Sequence, residues 1–516
     1  MNDTNRWFRG AAGASLLLLL ALPAVAADAP PPARPEQLRF PELRYAPPRA
    51  ADCRVLLKGG IPAYLVPDHS TPLVTIHVLM RVGPDLAPAG KEGLPAMAMN
   101  LLTRGGTKTR TAQQVEDRAS ALGAQLESDL GSGGGGMFGL GGVPIGPACS
   151  RATLNLLAKD VDEGLALLVE CLKGPAFEDE RVKLRREQEL QQMKQRNDES
   201  AAIEEREWGF LMRGGSHWTN RWTTRSSIEG ITREDLVAFA RRYVGPKNFV
   251  LAVSGEFDRA TIARKLEAAF ANWPVPGVNP GPPAAPAEPS AAGWYLVDKD
   301  VNQGRVSIGL RALDRFDPDY QAARVMNDIL GGGGFSSRLT NRIRSDEGLA
   351  YSVRSVFEGG LYYPDPWRIQ FQSKVRSVAF AIQIALAEVR RMRDSLVSAQ
   401  ELEVAKSKFI EGFPAQFETA NAVAGGLAVE ELTGRYQKDP DYYNEYRDRV
   451  RAVSAADIQR VARRLLDPAR LAVLMVGNAK DILTGDPKRD AQITTLAGGD
   501  PKHMPLRDPM TMKPMP

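Results

Sequence analysis

Apolar and polar positions along the chain follow one rhythm twice. Residues 231–258, ITREDLVAFARRYVGPKNFVLAVSGEFD, begin with a Thr able to cap a helix, continue with apolar side chains at helical spacing, stop at Pro246 and end in a β-rich apolar run. That order predicts a helix followed by a buried strand. Residues 453–478, VSAADIQRVARRLLDPARLAVLMVGN, repeat it without a gap. Asp235 matches Asp457, Arg241 and Arg242 match Arg463 and Arg464, Pro246 matches Pro468 and Gly255 matches Gly477, always 222 positions apart.

A constant internal offset predicts two homologous halves. Between them, residues 274–293 carry seven prolines and no apolar periodicity, the composition of a stiff extended linker. The halves therefore span 51–273 and 294–480. Each opens with a strand-like run, 73–82 and 306–313, and each then shows a long helical pattern, 151–172 and 376–394. The expected class is α+β: two tandem homologous halves, each a sheet covered on one face by helices. In the second half, 317–330 reads as a helix, Gly331–Gly334 break it, 335–348 start another with serines placed to cap it, and 350–358 read as a strand.

Composition narrows the class of function. The 516 residues are 43% hydrophobic and 25% charged, enough for a sizeable core. Lys and Arg number 66 against 62 Asp and Glu, without long blocks of one sign, which argues against a nucleic-acid or membrane-surface protein. Residues 1–26 read as an export signal: Arg6 and Arg9, an apolar run Leu16–Leu20, then Ala24-Val25-Ala26 for cleavage. No later stretch reaches the roughly 18 apolar residues that span a bilayer, so a periplasmic protein is expected. Residues 27–50 are Pro-rich and read as extended, and 481–516 as a disordered tail. Cys53, Cys149 and Cys171 form neither a metal spacing nor a definable disulfide framework.

With two α+β halves, a Pro-rich linker, the opening VLLKGGIPAYLVPDHSTPLVTIHVLMRVG and the run GGGGFSSRLTNRIRSDEGLAYSV, the chain resembles the insulinase/pitrilysin family of zinc peptidases, which includes the mitochondrial processing peptidases. The resemblance implies a processing-peptidase-like fold in which four α+β units, on one or two chains, enclose a chamber that cuts extended peptides. Active members carry H-x-x-E-H on a helix: two imidazoles one turn apart grip Zn²⁺ and the Glu takes a proton from the metal-bound water. Here the corresponding positions are Ala96, Met99 and Asn100, in KEGLPAMAMNLL, and the downstream zinc carboxylate is replaced by Arg185. Glu187 lies two positions away, about 200° around a helix, and cannot substitute. His69, His77, His217 and His503 are the only histidines, and no two share i, i+4 spacing.

What the resemblance implies to be retained is the Arg/Tyr pair that reaches the active site from the non-metal half, here Arg344 and Tyr351. A guanidinium and a phenol can hold a peptide carbonyl or the oxyanion formed from it. The expectation is a chain that binds no zinc, is inactive alone, and pairs with a zinc-bearing homologue to handle extended peptides, contributing Arg344 and Tyr351 in trans. The rival is a scaffold that keeps the fold for assembly only, with a homodimer left open. GGGGFSSR lacks the G-K-[ST] ending of a phosphate loop and joins helix to helix. The glycine-rich 131–142 segment reads as a slack hairpin connection in preference to an adaptable lip.

Overall fold

The computed structural model describes residues 45–131, 145–357 and 359–516. The expected signal segment, the Pro-rich stretch as far as residue 44 and residues 132–142 of the glycine-rich connection lie outside them.

Each half supplies one six-stranded sheet. The first contains β1 (Arg54–Leu56), β2 (Pro62–Pro67), β3 (Leu73–Met80), β4 (Gln125–Leu130), β5 (Ser150–Leu157) and β6 (Phe249–Gly255), in the order β1-β2-β6-β3-β5-β4. The second contains β7 (Gly293–Asp298), β8 (Gln303–Arg311), β9 (Ala350–Val356), β10 (Pro366–Lys374), β11 (Ala472–Gly477) and β12 (Lys502–Met504), in the order β12-β7-β11-β8-β10-β9. The five positions from β2 to β4 and from β7 to β9 correspond one to one, and in both sheets the pair β2/β6 or β7/β11 runs parallel while its neighbours toward β4 or β9 are antiparallel. The repeat reaches single hydrogen bonds. Thr232 Oγ1 accepts from Asp235 N at 3.2 Å while Asp235 Oδ2 accepts from Thr232 N at 2.9 Å, and Ser454 with Asp457 forms the same reciprocal cap at 3.1 and 3.0 Å.

Two expectations are corrected. Residues 151–157 belong to β5, and the helix begins only at Val161. Ala152, Leu154 and Leu156 alternate with the less buried Arg151 and Asn155, and this period of two prevails over the longer helical pattern. The tail 481–516 is ordered. Its strand β12 adds in parallel to the outer edge of β7, Asn197 Nδ2 donates to the Arg507 carbonyl at 2.8 Å, and Arg507 Nε reaches the buried Glu207 carboxylate at 3.1 and 3.2 Å. Backbone pairing to an open edge needs no apolar pattern, so composition could not announce it.

The helices of each half cover one face of its own sheet, and the other face is covered by a helix from the opposite half. The Ser200–Arg213 helix lays Ile203, Trp208, Leu211 and Met212 against Val297, Leu474 and Val476 of the second sheet. Reciprocally, the Ala420–Leu432 helix lays Val423, Ala424, Leu427 and Ala428 against Tyr64, Leu79, Val250 and Ala252 of the first. Each large apolar side chain buried this way contributes about 1.5–3 kcal/mol. Both helices also plant a buried carboxylate on the foreign sheet. Glu431 takes two hydrogen bonds from Arg54 at 2.8 Å each and one from Tyr64 at 2.6 Å; Glu204 accepts from Ser307 and pairs with Arg368 at 3.2 Å.

Candidate functional site

The positions where a zinc peptidase keeps its ligands lie on the Leu94–Leu101 helix, which packs against the Asp179–Lys194 helix. Gly93 starts it with φ 104°, pressed so close to Ile228 that a Cβ would lie 2.6 Å from Cδ1. Met97 and Met99 are 0% exposed and sit in the first half's core, with Ser128 Oγ donating to the Met99 carbonyl at 2.5 Å. Ala96 and Asn100 are half-buried, and Asn100 Nδ2 donates to Asp129 Oδ1 at 2.9 Å. Arg185 pairs with Glu189 on its own helix, while Glu187 points to solvent. A methyl group, a core thioether, an amide already bonded and a guanidinium cannot hold zinc.

The histidines offer no replacement. His77 lies buried between Thr153 Oγ1 at 2.9 Å and Asn421 Oδ1 at 3.0 Å, and burial, with Arg151 nearby, pulls its pKa down to about 4. His217 faces Thr219 and the Ala284 carbonyl, and His69 pairs with Glu256. Among the described residues no three His, Cys, Asp or Glu stand close enough to cage an ion.

The second half builds a different site around the tetraglycine turn. The Tyr320–Asn327 helix widens into a π turn at Asp328–Gly332, and a second π turn, Thr340–Asp346, precedes β9. Such widened turns recur at functional positions. Gly331 lies against β9, where a Cβ would meet Ser355 Cβ at 2.6 Å, and Gly334 needs φ +67°. The serines make no side-chain cap to the backbone: Ser337 is extended (φ −80°, ψ 150°) and its carbonyl accepts from Asn341 N at 3.0 Å, but its hydroxyl donates to the Gly334 carbonyl at 2.7 Å and lies 3.0 Å from Thr340 Oγ1.

Arg344 and Tyr351 do come together. The Arg344 guanidinium carbon lies 5.0 Å from the Tyr351 ring centroid and 4.6 Å from that of Phe335. The two aromatic residues are 86% and 72% exposed. A planar cation between two rings is held in one orientation while its N–H edge stays available, and that edge has no acceptor among the described residues. Sequence spacing identified the pair but not Phe335; an aromatic isolated between a glycine run and two serines was the signal. Along the outer edge of β9, Asn327 Nδ2 bonds the Ser355 carbonyl at 3.1 Å and Thr340 Oγ1 the Val353 carbonyl at 3.4 Å. The matching edge strand β4 is paired with β5 on one side only, among the described residues.

Residues 230–409 match the family model described as peptidase M16 inactive domain. That region belongs to the M16 peptidase family. Over 78% of its length the chain is 21% identical to an uncharacterized zinc protease of Rickettsia bellii, covering 92% of that protein. With the non-peptidase homolog YmxG of Helicobacter pylori it shares 24% identity over 71% of its length and 80% of the relative's. In three dimensions it superposes on the M16 inactive domain from Pseudomonas fluorescens with a TM-score of 0.68 at 20% identity, covering 83% of this chain and 98% of that one. The periplasmic protease PqqL of Escherichia coli gives 0.64 at 14% identity, over 82% of this chain and 45% of its own. These likenesses bear out the two-half α+β fold and, over residues 230–409, the resemblance to the zinc-peptidase family.

Proposed function

We propose that this chain is the metal-free partner of a zinc-bearing M16 homologue, acting in the periplasm, and that it closes a chamber around an extended peptide. It presents Arg344 and Tyr351 to the partner's active site, where they bind the substrate carbonyl or the oxyanion derived from it. The observation that carries this reading is the Phe335–Arg344–Tyr351 cluster: a half-buried cation flanked by two exposed rings, with no acceptor for its donors among the described residues. Donors so placed are useful where charge develops on a carbonyl oxygen. The filled helix at Ala96, Met99 and Asn100 supports the division of labour, since this half packs where a catalytic half would ligate. The outer edge of β4, which pairs with no other strand among the described residues, offers an extended peptide backbone hydrogen bonds that do not depend on its side chains.

A scaffold with no part in catalysis is the second reading, favoured by the likeness to a protein named a non-peptidase homolog. One experiment separates the two. The chain is combined with an H-x-x-E-H homologue from the same organism, and peptide turnover and complex size are measured for the parent and for Arg344→Ala and Tyr351→Phe. The proposal expects turnover to fall at least about 100-fold with assembly intact, the usual scale for losing an oxyanion donor. Unchanged turnover in both variants would leave the scaffold reading standing.

A further inference from the structure

Beside the tetraglycine turn, between β9 and the Tyr320–Asn327 helix, lies a cavity of about 490 Å³ with Phe335 and Arg344 in its wall. Its charge is lopsided. Arg324, Arg344, Arg354 and Lys408 line it, and Asp328 is the only acidic residue of its lining among the described residues. Lys408 Nζ meets Asp328 Oδ1 at 2.5 Å, which leaves three guanidinium groups with no carboxylate within ion-pairing distance among the described residues.

Arg324 is the most constrained of them. Its guanidinium carbon is surrounded by the rings of Phe409 at 4.7 Å, Tyr446 at 5.5 Å and Tyr320 at 5.7 Å. Nη1 donates to the Tyr446 hydroxyl at 3.1 Å and more weakly to Gln321 Oε1 at 3.5 Å, while Nε and Nη2 have no acceptor among the described residues. Three aromatic walls hold the fork still, so little conformational entropy is lost when it binds. A part-buried guanidinium with two idle donors is matched best by a carboxylate, which accepts both and neutralises the charge.

We propose that this cavity is a carboxylate-binding pocket, in which Arg324, assisted by Arg354, takes an acidic group of the peptide that crosses Arg344. It rests on the reading that the Arg344 face meets substrate, and it adds a preference which that reading does not contain: peptides with a carboxylate near the Arg344 contact are selected over isosteric neutral ones. The carboxylate is that of a Glu or Asp side chain or of the peptide's C-terminus.

The test is equilibrium binding to the full chain, by fluorescence anisotropy, of three labelled ten-residue peptides of otherwise identical sequence. One has a central Glu and blocked termini, one a central Gln and blocked termini, and one the central Gln with a free C-terminal carboxylate. The proposal expects one of the two anionic peptides to bind at least tenfold more tightly than the blocked Gln peptide, and the tighter one identifies the source of the carboxylate. Arg324→Gln should abolish that difference. The exposed Arg354→Gln, which removes no packing, should reduce it. Equal affinity for all three peptides overturns the pocket and leaves the peptide-binding reading in place. Binding of none of them overturns both.

Discussion

Tyr64, on the second strand of the first sheet, donates its hydroxyl to Glu431 on a helix contributed by the second half, at 2.6 Å. Arg54 completes the site with two further hydrogen bonds, so a buried carboxylate ties a hairpin of one half to a helix of the other. Replacing Glu431 by Gln removes the charge that Arg54 neutralises and one of its acceptors. The expected loss is about 2 kcal/mol, the scale of a charged hydrogen bond, against about 1 kcal/mol for Tyr64→Phe. Denaturant midpoints of the two variants check both.

Stability should fall on mild acidification through His77. Its folded pKa of about 4 lies below the ordinary value of 6.5, because the ring is buried between Thr153 and Asn421 near Arg151. The unfolded chain therefore binds the proton first. The neutral ring's contribution is intact above about pH 6.5 and declines as pH drops toward 4, by about 3 kcal/mol in all. A His77→Gln variant should show a flatter profile over that window in urea titrations.

Arg338 holds the Glu401 carboxyl at about 2, helped by hydrogen bonds from Ser398. This depressed acid contributes stability above its unfolded pKa and loses it as pH falls toward 2, below the His77 window. Glu401→Gln should therefore lower the melting temperature at pH 7 and have little effect at pH 2.

Restoring a carboxylate to the old motif should fail. Met99 is fully buried among apolar neighbours, so Met99→Glu places a charge where nothing pairs it, at a cost of about 3 kcal/mol. Adding Ala96→His and Asn100→His should not produce stoichiometric zinc, since the position of the downstream zinc carboxylate still holds Arg185, paired with Glu189. Calorimetry and metal analysis of the triple variant provide the check.

The C-terminal segment should matter for stability although its composition is that of a tail. Arg507 contacts Glu207, whose side chain is 1% exposed, and stacks on Phe210 with its guanidinium carbon 3.9 Å from the ring centroid. Arg507→Ala should cost about 2 kcal/mol, because Glu207 keeps only Arg206 as a counter-ion. Hydrogen exchange should show the loss first along β7.

Much of this was legible in the chain. The 222-residue offset located both halves, and the repeated caps at Thr232 and Ser454 follow from their spacing to Asp235 and Asp457. The absent zinc donors and the Arg344–Tyr351 pair could be read from motif positions. The helix exchange could not, because an apolar stripe says that a helix is buried but not against which sheet. Strand β12 was equally hidden: Lys502, His503 and Met504 join β7 through backbone groups that every residue possesses. Arg324 escaped notice because its cage draws on Tyr320, Phe409 and Tyr446, which are neighbours only after folding.

The reciprocal helix exchange sets an order of events during synthesis. The first sheet is complete in strands once residue 255 has been made, yet the helix that covers its second face ends at Leu432. For the intervening stretch of translation an apolar sheet face, with Tyr64 and Val250 on it, lacks the helix that covers it. Chains interrupted in that interval present a sticky surface to one another, and a holding chaperone has a defined window and a defined target.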